Sequence, residues 1–352
     1  MTSITDKYSV NEADILSDQE VSIKLFRNNL NFNYDFDTKY DWLYKNNPYG
    51  KGHIFHLRDD ENQTAAGVQC ISGREFSNGK LTLNVGLFSD YAVDEKHRSL
   101  GPGLYLMKQV NQEGLKYYDL VYGFPNKKAL PIYKRAGYDI TSKMIRYSKP
   151  LNPRYIFKTE VPVYFLGILS FLTAPLLKIY DAILYFIYRK DNSFEIAENF
   201  TDEHAHLADE ASINNNIVTC KRSREYLVWR YLKNNEHAFK IMNARNKHSG
   251  KLTGYIAYYI SGDNTCYIID VMTSDFDKYL LSLLTGFIRI IRKDRVLSVS
   301  FEFHGNAVAF SQLKRLLFFK RESRPIIYSS KHIDKNFCFS DVYLVAADED
   351  AI

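Results

Sequence analysis

The chain runs to 352 residues, long for one compact domain and comfortable for two. Hydrophobic residues form 45% and charged residues 25%, the balance of an ordinary folded soluble protein. The net charge of +5 admits an anionic ligand such as a nucleotide but is no nucleic-acid footprint, so nucleic-acid binding is not expected.

In chain order, the first thirty residues are polar and carry Asp6, Asp14 and Glu20; without an apolar h-region they read as no secretory signal. The segment around Trp42 reads as helix, ended by Asn47-Pro48-Tyr49-Gly50. His53–Leu57 and Thr64–Ser72 read as a hairpin, with Asp59-Asp60-Glu61-Asn62 in the turn. Leu81–Val93 reads as a longer strand. Leu100–Tyr117 has helical spacing of Leu104, Met107, Val110 and Leu115. Asp119–Gly123 follows as a short strand. Lys127–Arg135 reads as a short helix, capped by Asn126 at its start and Gly137 at its end, and Met144–Ser148 as a last strand. The sum is a mixed α+β domain with a strand-loop-helix at its centre.

From Val161 to Leu177 no residue is charged; Lys178 and Asp181 then interrupt a second apolar run to Tyr188. Arg154 and Lys158 flank one side, Arg189 and Lys190 the other. The length approaches the lower bound for a membrane span, but Pro162, Gly167 and Pro175 interrupt it, so it reads as a linker of helical pieces. Two roles stay open: packing between two domains, or an interfacial membrane anchor through residues 161–188 with its basic flanks on lipid head groups. The expected division is 1–150, a hydrophobic helical linker at 151–192, and 193–352.

The two tryptophans expose an internal repeat. Trp42-Leu43-Tyr44-Lys45-Asn46 and Trp229-Arg230-Tyr231-Leu232-Lys233-Asn234 stand 187 positions apart, as do Gly67 and Gly254. Further on the offset is 180: Asp90 matches Asp270, Asn126 matches Asn306, and Lys134-Arg135 matches Lys314-Arg315. One offset change between ordered matches is what duplication and a loop deletion leave. The cysteines (Cys70, Cys220, Cys266, Cys338) are scattered without a C-x-x-C pair, which points to a reducing cytosol and to no metal site.

At the strand-to-helix junction stands Val93-Asp94-Glu95-Lys96-His97-Arg98-Ser99-Leu100-Gly101-Pro102-Gly103. A loop running into a helix N-terminus offers unpaired N–H groups and the positive end of a dipole, which suits phosphate. Gly101 and Gly103 permit close approach, and Pro102 suits a first helical turn. The spacing is neither a Walker loop nor a Rossmann fingerprint.

Arg98-Ser99-Leu100-Gly101-Pro102-Gly103 resembles the R/Q-x-x-G-x-G/A signature of the GNAT superfamily of N-acetyltransferases. Asp90–Asp94 looks like its fourth strand, and Tyr122–Asn126 with Tyr133–Tyr138 like its fifth strand, Asn cap and Tyr-bearing helix, though two residues separate Lys134 from Gly137. The resemblance covers roughly residues 26–148. It implies two tandem GNAT-like α+β domains, each a mixed, mostly antiparallel sheet flanked by helices. It also implies acetyl-CoA as co-substrate. The amides from Arg98 through Ser99, Leu100, Gly101, Pro102 and Gly103 would hold its pyrophosphate, Pro102 itself lacking an N–H. The backbone of Tyr91 and Val93 would pair with the pantetheine arm, and Asn126 would bond to the cofactor. Tyr133 would protonate the leaving thiolate, with Asp90 as general base beside it and Glu95 and His97 as further candidates.

The second copy lacks the signature. Thr273-Ser274-Asp275-Phe276-Asp277-Lys278-Tyr279 occupies the cradle region, and Leu313 stands where Tyr133 does. One active half is expected. It would act on a small-molecule amine, such as an amino-sugar or cell-envelope precursor in polysaccharide biosynthesis, in the cytoplasm and at the inner face of the membrane if the linker meets lipid. Aminoacyl transfer of the peptidoglycan-bridge type and a non-catalytic acyl-CoA-binding scaffold are the alternatives. Arg289, Arg292, Lys293 and Arg295 read as a solvated helix face beside Leu283, Phe287, Ile290 and Ile291.

Overall fold

The computed structural model describes residues 4–30, 35–140, 142–153, 163–234, 236–305, 311–331 and 337–350, with backbone alone at 100, 163–172 and 311. Arg154, Lys158, Val161, Pro162 and Asn306 lie outside the described residues.

The first half runs α1 (Ile4–Lys7), β1 (Tyr8–Ala13), α2 (Gln19–Asn29), α3 (Phe36–Tyr40), a wide π turn at Asp41–Lys45, β2 (His53–Asp59), β3 (Thr64–Ser77), β4 (Thr82–Val93), α4 (Leu100–Tyr117), β5 (Leu120–Gly123), α5 (Leu130–Ala136) and β6 (Lys143–Pro150). Next comes α6 (Val163–Tyr188). The second half runs β7 (Asn192–Ala197), α7 (Asp202–Asn214), β8 (Val218–Cys220), α8 (Arg224–Leu227), a π turn at Val228–Leu232, β9 (Lys240–Asn246), β10 (Leu252–Ile260), β11 (Thr265–Thr273), α9 (Phe276–Ile291), β12 (Ser298–His304), β13 (Phe319–Pro325), β14 (Ile327–Ser330) and β15 (Val342–Val345). The two orders repeat each other, down to the π turn that carries each tryptophan.

Residues dictate these elements locally. Asp59 folds the β2–β3 turn by accepting from the amides of Glu61 and Asn62 and from the Asn62 side chain. Gly137 ends α5 at φ +93°, a left-handed cap that glycine takes without strain. α9 is apolar on most faces, and Leu280, Leu283, Leu284, Phe287 and Ile291 are buried between the sheet and α6. α6 is one helix that continues through Pro175, where helical pieces were expected. Pro175 is exposed, so water can satisfy the carbonyl that the missing N–H leaves behind. No helix among the described residues is long and apolar enough to cross a membrane.

In the first half, β1, β2, β3 and β4 pair antiparallel in sequence, and β5 runs parallel to β4 after the α4 crossover. β7, β9, β10, β11 and β12 repeat that order in the second half. The place beside each parallel strand is filled by the other half. β14 pairs antiparallel with β5, matching Ile327 to Gly123. β6 pairs antiparallel with β12, matching Tyr147 to Phe301, and β13 then covers β6. Residue 150, the expected domain boundary, is thus the end of a strand laid into the second half's sheet. β8 and β15 bridge the far end of β3 to β12, making one continuous sheet of 15 strands among the described residues.

The repeated tryptophans meet at the centre. Trp42 Nε1 donates to the Trp229 carbonyl at 2.9 Å, and Trp229 Nε1 donates to the Trp42 carbonyl at 3.0 Å. Their rings stack at 4.6 Å and 15°. The Arg230 guanidinium lies 5.1 Å from the Trp42 ring and that of Arg74 5.4 Å from the Trp229 ring. Reciprocal contacts of this kind define a pseudo-twofold axis. Trp42→Ala removes a buried ring and strands the Trp229 carbonyl, so urea denaturation should show a loss of about 3–5 kcal/mol. Trp42→Ala with Trp229→Ala should cost clearly less than the two single losses added, because the rings are each other's contact.

Candidate active site

The site grows from an irregularity in β4. The β3–β4 register pairs Val68 with Ala92 but Cys70 with Ser89, so β4 carries one extra residue, and Asp90 turns to φ +47°. The β4–β5 ladder spans only Val85–Leu120 to Leu87–Tyr122. β5 ends at Gly123, packed against Phe88, and the edge of β4 from Ser89 to Val93 has no ladder partner on that side.

Asp90 lies at this bulge with both oxygens engaged. Lys39 Nζ on α3 sits 2.8 Å from Oδ1, and the Tyr44 hydroxyl donates to Oδ2 at 2.5 Å. Both Lys39 and Asp90 side chains are 3% exposed. The repeat has the same arrangement: Tyr231 and Tyr255 donate to Asp270, which Arg222 grips through two nitrogens at 2.8 and 3.1 Å. A tyrosine-held carboxylate at the β4 position is therefore common to both halves, whichever of them binds a cofactor.

After β4, a short 3-10 turn at Glu95–His97 leads to α4. The Arg98 and Ser99 amides bond to the Glu95 and His97 carbonyls, and Pro102 has no N–H, which leaves Leu100 and Gly101 as the first helical donors. Ser99 sits at the N-cap without a side-chain cap bond, and the first turn holds no acidic residue. The Arg98 guanidinium donates to the Val93 carbonyl at 2.9 Å and to Asn29 Oδ1 at 2.8 Å, so it is stapled beside the helix start. His97 exchanges a hydrogen bond with the Tyr8 hydroxyl at 2.9 Å, the role of a packed loop residue; Glu95 is exposed.

The two glycines meet different neighbours. A Cβ on Gly103 would lie 2.4 Å from the Tyr91 hydroxyl, which is buried and has no hydrogen-bond partner among the described residues. A Cβ on Gly101 would meet only the tip of Ile4, at 2.9 Å, which can swing away. An uncapped helix start and a glycine, Gly101, free of backbone contact fit the diphosphate end of an acyl-CoA, and the unpartnered Tyr91 hydroxyl lies two residues on, against Gly103.

Tyr133 on α5 is buried, and its hydroxyl reaches Gln69 Oε1 at 3.4 Å. Burial, with the nearby Tyr91 and Asp350 adding to it, pushes its pKa far above that of free tyrosine, so it stays protonated. Gln69 is held in turn by donating to the Ser89 carbonyl at 2.9 Å. Asn126 accepts from the Lys128 and Ala129 amides at 2.9 Å each, capping the turn that leads into α5.

One acid arrives from the opposite end of the chain. After β15 the segment Ala346–Asp350 runs back to the first half: the Tyr122 hydroxyl donates to the Asp348 carbonyl at 2.7 Å, and Asp350 Oδ2 stands 3.5 Å from Lys39 Nζ. The Asp350 side chain is 24% exposed, and its charge reaches both Tyr133 and Cys70. Sequence spacing holds no sign of Gln69, Lys39 or Asp350, since strand packing and chain return bring them there.

In the second half the equivalent helix start is filled. Asp275 caps α9 by accepting from the Lys278 amide at 2.8 Å, and Asn215 accepts from the Phe276 amide at 2.9 Å. Leu313 is fully buried where Tyr133 would be. Among the described residues no group of three His, Cys, Asp or Glu could hold a metal ion.

Removing the cation of the bulge pair leaves a buried charge alone. Lys39→Met should therefore destabilise the fold by about 3–5 kcal/mol in urea titrations, and adding Asp90→Asn should restore most of it.

No protein-family model matches the chain, and no curated protein sequence matches it. Solved structures do. A probable N-acyltransferase from Enterococcus faecalis superposes with a TM-score of 0.63 at 13% identity, over 92% of this chain and 72% of that one. A GCN5-related N-acetyltransferase from Anabaena variabilis gives 0.62 at 12%, with the same coverage. A tandem GNAT protein from the clavulanic acid biosynthesis pathway gives 0.55 at 11%, over 92% of this chain and 98% of that one. The two interlocked halves of this chain thus share one fold, that of the GNAT N-acetyltransferases in tandem.

Proposed function

We propose that the first half transfers an acetyl group from acetyl-CoA to the nitrogen of a small-molecule amine, directly, within a ternary complex. The observation that carries this reading is the uncapped start of α4 after the unpaired edge of β4, with Tyr91 lying against both Gly103 and the protonated Tyr133. Acetyl-CoA, when bound, supplies the activated acyl group.

The Leu100 and Gly101 amides and the α4 dipole hold the diphosphate, Arg98 adds positive charge, and Tyr91 offers its hydroxyl. Ser99, Pro102 and Gly103 shape the turn and keep side chains off it. The open edge of β4 from Tyr91 to Val93 receives the pantetheine arm as an added strand. Asn126 offers its amide N–H groups to the cofactor. Tyr133 gives its proton to the departing sulfur. Asp90, engaged by Lys39 and Tyr44, holds the bulge in shape, and the amine proton goes to Asp350, the less buried acid on the same lysine. Amino-sugar precursors of the cell envelope are the first acceptors to screen.

Calorimetric titration with acetyl-CoA should show one site per chain. Gly101→Asp puts a negative charge where the helix dipole favours it and a phosphate does not. Its melting temperature should hold or rise while acetyl-CoA affinity falls tenfold or more; unchanged affinity would remove the cradle assignment and turn attention to aminoacyl transfer. Once an acceptor is found, Tyr133→Phe should lower kcat by about a hundredfold with little change in cofactor binding. Because burial raises Tyr133, kcat should show no loss from it up to pH 9. Asp350→Asn should cut kcat at least tenfold with little change in cofactor binding, and a full rate would exclude Asp350 as the base.

A further inference from the structure

A second surface, unrelated to the acyl-transfer reading, lies on α6. Leu176, Ile179, Tyr180, Ile183, Phe186 and Ile187 are each between 36% and 65% exposed. At 3.6 residues per turn these six fall within about a third of the helix circumference. The opposite face is spoken for: Leu184 is buried, and Asp181 is paired with Lys149 at 2.8 Å and with Arg292. α6 packs on α9 through that side. A contiguous apolar stripe of this extent on a folded chain marks a contact surface.

The surroundings indicate what meets it. Arg189 and Lys190 follow directly after the helix at the end of the stripe, the Arg189 guanidinium 5.2 Å from the Phe186 ring, and Lys178 stands about 80° round the helix from Phe186. Beside the stripe, a cavity of about 250 Å³ is lined by Lys178, Arg289 and Arg292, by the acid Asp181, and by Ala182, Tyr185 and Phe186. Phe186 belongs to both stripe and cavity, so the cationic hollow opens directly from the apolar edge. Arg289 is exposed, as a helix-face residue is expected to be, and its guanidinium lies 4.4 Å from the Tyr185 ring at the wall of the hollow; Arg292, from the same expected cluster, is instead largely buried in its pair with Asp181. Arg292 is neutralised by Asp181, which leaves Lys178 and Arg289 as the cations for a ligand.

We propose that α6 lies in the surface of an anionic phospholipid membrane, its apolar stripe among the acyl chains and the Lys178–Arg289 hollow on a headgroup phosphate. An apolar stripe edged by cations has the charge and shape of an interfacial helix. A second copy of the chain would bring the same cations against themselves, which disfavours self-association through this face.

The test uses the full chain with vesicles of phosphatidylcholine alone and of phosphatidylcholine mixed with phosphatidylglycerol. Cosedimentation should be at least tenfold stronger with the anionic vesicles. Ile183→Glu with Phe186→Glu should abolish it while the circular-dichroism melting curve stays put, since both side chains face solvent. Lys178→Gln should weaken binding about fivefold on anionic vesicles and leave the weak binding to neutral ones unchanged. The proposal is overturned if neither vesicle binds, or if the double substitution binds as well as the parent. It is also overturned if the parent sediments as a dimer that the double substitution splits, for then a second copy covers the stripe.

Discussion

Two indole N–H groups, each given to the other's backbone carbonyl, set how the halves of this protein face one another. An indole has one donor and no acceptor, so a buried pair can satisfy itself only by reaching past the rings to main-chain oxygen. The carbonyls of Trp42 and Trp229 both accept such a bond, and both residues sit in π turns. The stacked rings then lie on the axis that relates the halves. The exchange of β6 and β14 across the chain follows from that arrangement, because each strand need travel only to the neighbouring sheet.

Duplication kept the frame and released the chemistry. Both halves retain a bulge beside a carboxylate gripped by a cation and by tyrosine hydroxyls. They differ at the helix start. In the first half the leading amides of α4 have no side-chain cap; in the second, Asp275 and Asn215 have taken them. A helix that caps itself is more stable and no longer has donors for an anion. The freed second half contributes its C-terminal segment instead, which brings Asp350 to the Lys39 side of the first.

Much of this was legible from local rules. Strand alternation, the Asp59 turn, the Gly137 cap and the length of α4 are properties of adjacent residues, and they appear where the pattern puts them. The repeat was legible because tryptophan is rare here and the axis needs one in each half. The glycine signature was legible because two glycines and a proline stand together at the start of α4, where a Cβ on Gly101 would meet only the tip of Ile4. What escaped has a common physical cause. β1 and α2 lack strong periodicity and are ordered by packing on β2 and β3. Strand exchange swaps partners of equal pattern, so nothing in β6 or β14 says which sheet it joins. The stapling of Arg98 by Asn29, the hold of Gln69 on Tyr133 and the approach of Asp350 to Lys39 are contacts across 64 to 311 positions. Pro175 misled because a proline at a wet helix position costs less than one in a core.

The exchanged strands also govern when the protein can finish folding during synthesis. β5 is complete at Gly123, yet its neighbour β14 begins only at Ile327. At about 5–20 residues per second, the ribosome leaves the first half's sheet with an unpaired edge for roughly 10–40 seconds. β6 is made early and has no partner until β12 emerges at Ser298. Both edges are short, four and eight residues, and β6 carries Lys143, Arg146 and Lys149. Short, cationic edges resist pairing with other chains, so the nascent first half can wait for its missing strand without joining the wrong one.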